Sequence, residues 1–490
     1  MSAARRKRID RIVAAVIAVV VVAVGVVVYL TSDLRATAAV LGPDTESPAA
    51  ADVVPSTLST AWTLPTDPAL GAVASPNGVV ITTDATTVTG HDSVTGEFRW
   101  SYGRSNAPLC AVGSGDTDAP GVTTRGKVRG VMAVSEINGF CSQVMLLDPA
   151  TGERHYYRTS PNQPGGSLAF GGPYSAWLGP TLIELWRDDL VRTIQYGDLP
   201  NPPKPNAAHL GCTFTDIALA DEQFATVEHC PEQSPNAQVV INWATPDSAP
   251  NKPDGQDVFK HDPRATIDTG APAARIVGIT ADRVAVLVSA PEPAVVVYDE
   301  TGAETSRTPV DIPAESIVAA DQLTDTGDTA PTQNVRDGAA RYSLIGDRLL
   351  AVTSQSAEVI APPSTSTSTS DIADAAPPTV GLLAGETATT TASAPPETIQ
   401  VKDLVVQWTK DGALGLPAVI GEQVVMPVAG GLDVFAAQNG NPGIVPATIP
   451  VDRAGYTGRV DATAVGLMII ETRGGSVVGL APGTTPNGAG

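Results

Sequence analysis

The sequence predicts an all-β protein: a seven- or eight-bladed β-propeller, eight preferred, behind a single N-terminal transmembrane helix. Three observations lead there. One long uncharged apolar run lies near the N-terminus, strand-like groups recur down the rest of the chain, and a short corner motif reappears with its internal spacing kept. Composition agrees, because charged residues are only 17%, Gly and Pro number 46 and 42, and Val and Thr come in short runs. That is the make-up of strands joined by turns.

The apolar run is IVAAVIAVVVVAVGVVVYL, residues 12–30, without a charge. At 1.5 Å per residue it reaches about 28 Å, close to the hydrocarbon thickness of a bilayer. A cleaved secretory signal is the competing reading, and Ala36-Thr37-Ala38 offers a small-x-small site, but a signal core usually runs only about 7–15 residues. Residues 1–11 hold Arg5, Arg6, Lys7, Arg8 and Arg11 against Asp10, and the positive-inside tendency places this basic tail in the cytoplasm. The expected partner of residues 12–30 is therefore the cell membrane, crossed once, with the rest of the chain extracytoplasmic. The net charge is −22 although the tail is basic, so the body is strongly acidic. Such a surface repels phosphate backbones and argues against nucleic acid as a partner.

Residues 31–57, rich in Ala, Pro and Asp, read as an extracytoplasmic stalk. The propeller is expected over 58–486. Its first full group, GVVITTDATTVTGHDSVTGEFRWSY, contains the corner Asp92-x-x-Thr95-Gly96 followed by Trp100. The next group repeats it with Asp148, Thr151, Gly152 and Tyr156, 56 residues on. Weaker echoes carry Asp188-Asp189, then Asp299 with Thr301 and Gly302, then Asn439-Gly440, and eight groups can be counted. Units of four strands at about 40–50 residues are the signature of a propeller. The last group supplies only three strands, so STAWTLP, residues 59–65, is expected to close the final blade and remove an open sheet edge. Residues 361–397 form a low-complexity insertion with too little apolar content to pack, expected as a disordered loop before the strand holding Trp408.

Hairpin chemistry accounts for the corner. An Asp carboxylate accepts from backbone N–H groups just ahead of it, Gly supplies a positive φ, and the aromatic begins the outgoing strand, where its ring can pack between sheets. Trp62, Trp100, Trp186, Trp243 and Trp408 are read as such wedges rather than as ligand-stacking platforms. Four cysteines in an exported body suggest disulfides, and of the three possible pairings the sequence neighbours Cys110 with Cys141 and Cys212 with Cys230 are favoured, against buried free thiols. No metal site is expected, since no Cys-x-x-Cys pair exists and His229 beside Cys230 is a lone neighbour. The acidic stretch 321–338 misses the EF-hand spacing and reads as a solvated loop. His91, His155, His209, His229 and His261 are scattered, and no Gly-x-Ser-x-Gly elbow accompanies them.

The corner Asp-x-x-Thr-Gly-x-x-x-Trp, Asp92 to Trp100, resembles the repeat of the pyrroloquinoline-quinone-like (PQQ-like) β-propellers, and Asp148 to Tyr156 follows it. In its Ala/Val/Thr-rich style and single anchor the chain is similar to actinobacterial membrane-anchored members of that class. The resemblance implies a propeller fold. The class includes quinoprotein alcohol dehydrogenases and non-catalytic envelope proteins, so function must come from the site. Quinone-dependent members add a vicinal disulfide against the cofactor, calcium ligands and an aspartate base. This chain has no adjacent cysteines. The reading that follows is a membrane-tethered, non-catalytic scaffold docking an envelope protein, with no catalytic residue, cofactor or metal. A propeller sensing a cell-wall glycan or peptide is the alternative, and a quinone-dependent dehydrogenase the remoter one.

Overall fold

Runs such as VVITT, RVAVLV and AVVVYD form short strands that are buried along nearly their whole length, on both faces. A strand covered on both sides belongs to a sheet packed between two others, and continuous rather than alternating apolar sequence is its mark. In the computed structural model the described residues are 3–30, 32–44, 48–75, 78–115, 130–198, 209–220, 223–244, 263–317, 341–354, 404–443 and 447–483.

These strands make eight antiparallel sheets, in which sequence neighbours are sheet neighbours except where Thr37–Val40 and Leu58–Pro65 add to the outer edges of the first and last. Blade 1 holds Val73–Ser75, Val79–Thr83, Thr87–Asp92 and Phe98–Arg104, and blade 2 holds Leu109–Gly115, Gly130–Ile137, Phe140–Leu147 and Arg154–Thr159. Blade 3 is Ser167–Gly171, Tyr174–Leu178, Leu182–Arg187 and Arg192–Gly197; blade 4 is Thr213–Leu219, Gln223–His229, Gln238–Trp243 and Ala265–Asp268. Blade 5 is Ala274–Ile279, Arg283–Val288, Ala294–Asp299 and Glu304–Pro309. Blade 6 has three described strands, Arg341–Ile345, Arg348–Ser354 and Leu404–Asp411. Blade 7 is Ala418–Ile420, Gln423–Val428, Gly431–Ala436 and Thr448–Pro450, and blade 8 begins with Val460–Val465, Met468–Arg473 and Ser476–Pro482. The first strands of blades 1 to 6 touch in succession, that of blade 7 touches that of blade 8, and blade 8 meets blade 1. Tyr342, Leu349 and Trp408 share a core with Val424 and Phe435, joining blade 6 to blade 7. The protein is an eight-bladed β-propeller.

Its apolar cores are slabs between blades. Val227 and Ile241 of blade 4 pack with Ile276 and Val286 of blade 5, and Val425 and Val434 of blade 7 with Ile469 and Val478 of blade 8. Polar braces cross the same seams. Arg158 of blade 2 donates to Leu190 O (2.9 Å) and Glu184 (3.4 Å) of blade 3, Ile276 N of blade 5 donates to Asp216 of blade 4 (2.8 Å), and Leu416 N donates to Asp461 of blade 8 (2.8 Å). Arg453, after blade 7, binds Glu471 of blade 8 (2.7 Å) as well as Val428 O and Gly431 O. Breaking one member of such a buried pair strands the other, so these braces fix which blade faces which.

The ring closes as the sequence suggests. Leu58–Pro65 pairs antiparallel with Ser476–Pro482, placing Trp62 opposite Gly479 and giving blade 8 its fourth strand from the other end of the chain.

The N-terminal helix is longer than the expected span, running Ala3–Leu30 through the basic tail, and its described side chains are exposed. The segment Asp10–Ala36 is long and apolar enough to cross a membrane, with a mean hydropathy of 3.1 in its most apolar window.

The described residues 32–44 and 48–57 depart from the expected stalk. Ser32 caps a single helical turn, Asp33–Ala36, and Thr37–Val40 then pairs antiparallel with the outer strand of blade 1, from Thr37 opposite Arg104 to Val40 opposite Ser101. Asp33 binds Arg104 (2.5 Å) and Asn106 (3.0 Å). Further on, Gly42 N donates to Thr151 O of blade 2, Pro48 lies against Gly78 and Gly466, Asp52 O against Gly421, and Val54 N donates to Gln423 Oε1 while its side chain enters the blade 7–blade 8 core. The physical reason is that an exposed strand edge offers unpaired N–H and C=O groups to any extended backbone, whatever its side chains. The insertion 361–397 and the acidic stretch 321–338 lie outside the described residues.

Candidate functional site

The corner residues are brought together as a joint between blades. Val94 N and Thr95 N both donate to Asp92 Oδ1 (2.9 Å), and Ala150 N and Thr151 N do the same to Asp148 (2.9 and 2.8 Å). Gly96 and Gly152 have φ of 74° and 73°. Trp100, fully buried, leaves its own repeat: its Nε1 donates to Pro149 O (3.0 Å), one residue past the Asp of the next blade's corner, and its ring covers Gly152. Trp62 does this to Ser93 O (3.1 Å) and Gly96 of blade 1, and Trp408 to Ala437 O (2.9 Å) and Gly440 of blade 7. Each of these corners is therefore filled by a tryptophan from the preceding blade. Tyr156 departs from the pattern, standing 46% exposed on the outer strand of blade 2. Trp186 is fully buried on the third strand of its own blade, while the ring of Trp243 stacks under the Arg264 guanidinium at 4.0 Å. Trp177, outside the corner motifs, is also buried and donates to Gln163 O (3.0 Å).

Electrostatics at the corners follow from that geometry. Burial pushes the Asp92 carboxyl upward, yet the Thr95 and Val94 N–H groups and the Arg99 charge together outweigh it and hold it below its ordinary value. Asp299 is held low chiefly by the Thr301 hydroxyl, and Asp189 chiefly by its hydrogen bond from Arg187. Burial lowers His91, whose Nε2 sits 3.0 Å from the Thr82 hydroxyl. Elsewhere burial raises Glu184 despite its two arginines, and pushes Tyr342 up to about 12.

The cysteines form two bonded pairs, Cys110–Cys141 in blade 2 with Cα atoms 5.9 Å apart and Cys212–Cys230 in blade 4 with Cα atoms 4.3 Å apart. The second pair does not stand alone. Cys212 and Cys230 flank the ladder pair Thr213–His229 at one end of the first two strands of blade 4. Glu228, two residues before Cys230 and on the same strand face, is fully buried. Its carboxylate accepts from Thr226 Oγ1 (2.6 Å) and lies 2.6 Å from His209 Nδ1. His209, at φ 63°, starts a turn that brings Cys212 N to His209 O (3.4 Å). The potential ligand atoms of His209, Cys212, Glu228 and Cys230 all lie within 4.8 Å of one another. His229, the neighbour visible in sequence, is not in that group; strand alternation points it the other way. A His-x-x-Cys turn set against a Glu-x-Cys strand was the available signal.

This cluster sits at the opposite end of its hairpin from the face contacted by Pro48 and Asp52. These residues contact Gly78, Gly466 and Gly421, which lie in the turns between the first and second strands of blades 1, 8 and 7. The cluster lies where the first strand of blade 4 begins and the second ends. Chemically it gathers a disulfide, an imidazole and a carboxylate whose side chains are almost wholly buried.

No family model matches the sequence, and no curated protein does. Among solved structures it is similar to BamB from Moraxella catarrhalis, at 11% identity over 87% of this chain and 100% of that one, with a TM-score of 0.42. It is also similar to the C-terminal WD40 domain of Sif2, at 8% identity over 88% and 99% of the two chains with a TM-score of 0.44. The computationally designed Ika8 protein is 11% identical over 89% and 99%, with a TM-score of 0.39.

Proposed function

We propose that this chain is a single-pass, membrane-tethered propeller whose extracytoplasmic body serves as a non-catalytic docking platform for another envelope protein. The observation that carries the reading is the seam between anchor and ring. Seven residues after the apolar helix ends, at Thr37, the chain becomes the fifth strand of blade 1, and by Val54 it is part of a blade core. A sensor or enzyme on a tether profits from reach, whereas a platform that must present one rim at a set height above the bilayer profits from this fixed attachment. The basic residues preceding the apolar helix favour a cytoplasmic N-terminus, and the two disulfide pairs suit an oxidising compartment for the body. The corner repeats at Asp92 and Asp148 support kinship with PQQ-like propellers, here as a source of architecture rather than of quinone chemistry.

Photo-crosslinking residues placed one at a time on the outer strands of the eight blades, in the full chain in its native membrane, test this. Discrete adducts with one other envelope protein, from an arc of neighbouring blades, are expected. Adducts only with lipid or with a second copy, from every blade alike, overturn the docking role.

A further inference from the structure

We propose that His209, Cys212, Glu228 and Cys230 form a binding site for a zinc-class divalent cation when the Cys212–Cys230 disulfide is reduced. One cluster then has two exclusive states, bridged or metal-bound. The donors are of the right kinds, thiolate, imidazole and carboxylate, and four is the number a structural zinc site uses. They are also pre-placed. Zinc bonds of about 2.0–2.3 Å require donors roughly 3.3–3.8 Å apart, and here all four already lie within 4.8 Å. Cleaving the bridge lets the sulfurs separate toward that spacing without moving either strand, because the ladder from Thr213–His229 inward to Leu219–Phe224 holds both.

The supports are rigid and the surroundings closed. Cys212 and Cys230 are 1% and 3% exposed, Glu228 is fully buried, and the His209 side chain is 11% exposed. Thr226, donating to the far oxygen of Glu228, would orient that carboxylate in either state. Cys110–Cys141 has no such company: among the described residues only the blade 4 group brings three or more potential ligands together.

The chemistry balances with an external dithiol as reductant. A thiolate of the dithiol attacks one sulfur of the bridge, its second thiol resolves the mixed disulfide, and the reductant leaves oxidised with two electrons transferred to Cys212 and Cys230. The cation then displaces the two thiol protons, forming two metal–sulfur bonds, while His209 Nδ1 and a Glu228 oxygen complete the set. Exchange with the oxidised dithiol runs the same steps in reverse: its disulfide takes up the two electrons, the Cys212–Cys230 bond forms again and the metal leaves.

The experiment uses the full chain in detergent with the Cys110→Ser/Cys141→Ser background to remove the other pair, and Co²⁺ as the probe. After anaerobic reduction, one equivalent of Co²⁺ should produce thiolate-to-cobalt charge transfer and tetrahedral ligand-field bands, and Zn²⁺ should bleach both. Unreduced protein should give neither. Cys212→Ser should lower the charge-transfer band by at least half, because only the Cys230 thiolate remains. Because that variant also loses the bridge, Glu228→Gln is the conservative check: it keeps the disulfide and should weaken cobalt binding at least about tenfold. Reduced protein that takes up no cobalt overturns the proposal, as does uptake unchanged by both Cys212→Ser and Glu228→Gln.

Discussion

Replacing Gly152 by alanine should destabilise the ring chiefly through a residue in another blade. Gly152 has φ 73°, and a β-carbon added there would sit 2.6 Å from Cδ2 and Cε3 of Trp100. The backbone term for an L-residue in the left-handed region is about 1–2 kcal/mol. Forcing the indole out of a filled slot adds about 1–3 kcal/mol, so the whole loss is about 2–5 kcal/mol. Gly139 provides the reference, since it has φ 80° and nothing within 4 Å of its added β-carbon. Gly139→Ala should therefore cost only the backbone part. Urea unfolding of the full chain in detergent, followed by far-ultraviolet circular dichroism, reads both. In a Trp100→Leu background the slot is vacated and Gly152→Ala should fall to the cost of Gly139→Ala. Equal losses for the two glycines in the native background would refute the idea that the corner is a socket for the preceding blade's tryptophan.

Other expectations follow from the same geometry. Asp299 is held below its ordinary pKa, so its contribution is present above the unfolded carboxylate value of about 4 and is lost as pH falls through the lower folded value; Asp299→Asn should thus be less stable than the native chain at pH 7, with the gap closing on acidification in a series of urea midpoints. The Cys110–Cys141 bridge spans 31 residues, and the Cys110→Ser/Cys141→Ser variant should lose about 3–4 kcal/mol under non-reducing conditions by the chain-entropy relation. A chain beginning at residue 57 keeps the Leu58–Pro65 strand and should melt well above one beginning at residue 67, which leaves Ser476–Pro482 as an open edge; equal melting curves would count against ring closure by that strand. Amide exchange should find protected N–H groups within Thr37–Val40, where a free stalk would exchange at the unfolded rate.

How far the sequence could be read is clearest at Trp100 and Cys230. The period of the repeats, the Asp-to-Gly turn chemistry and the closing strand around Trp62 were all legible, because hairpins are local and their φ and hydrogen-bond demands are written in adjacent residues. The destination of each tryptophan was not. Trp100 lies eight residues from Asp92, yet it packs on Gly152, and spacing within a repeat carries no information on which neighbour supplies the socket. Tyr156 holds the same place in its motif and is exposed instead.

Residues 31–57 and blade 4 show the same division. Composition marked 31–57 as a stalk because it lacks a strand-like apolar pattern, but Thr37–Val40 is held by backbone hydrogen bonds, to which side-chain pattern is nearly blind. In blade 4 the cysteine pair could be favoured from sequence proximity, while His209 and Glu228 become its neighbours only when two strands and a left-handed turn converge. The sequence by itself determined the apolar helix, the strand repeats, their corner turns and the acidic body, all properties of short stretches of chain. Only the tertiary structure decided which blade each ring locks, how the anchor is seated and which donors share a pocket, because those contacts join residues whose separation along the chain has no fixed relation to their separation in space.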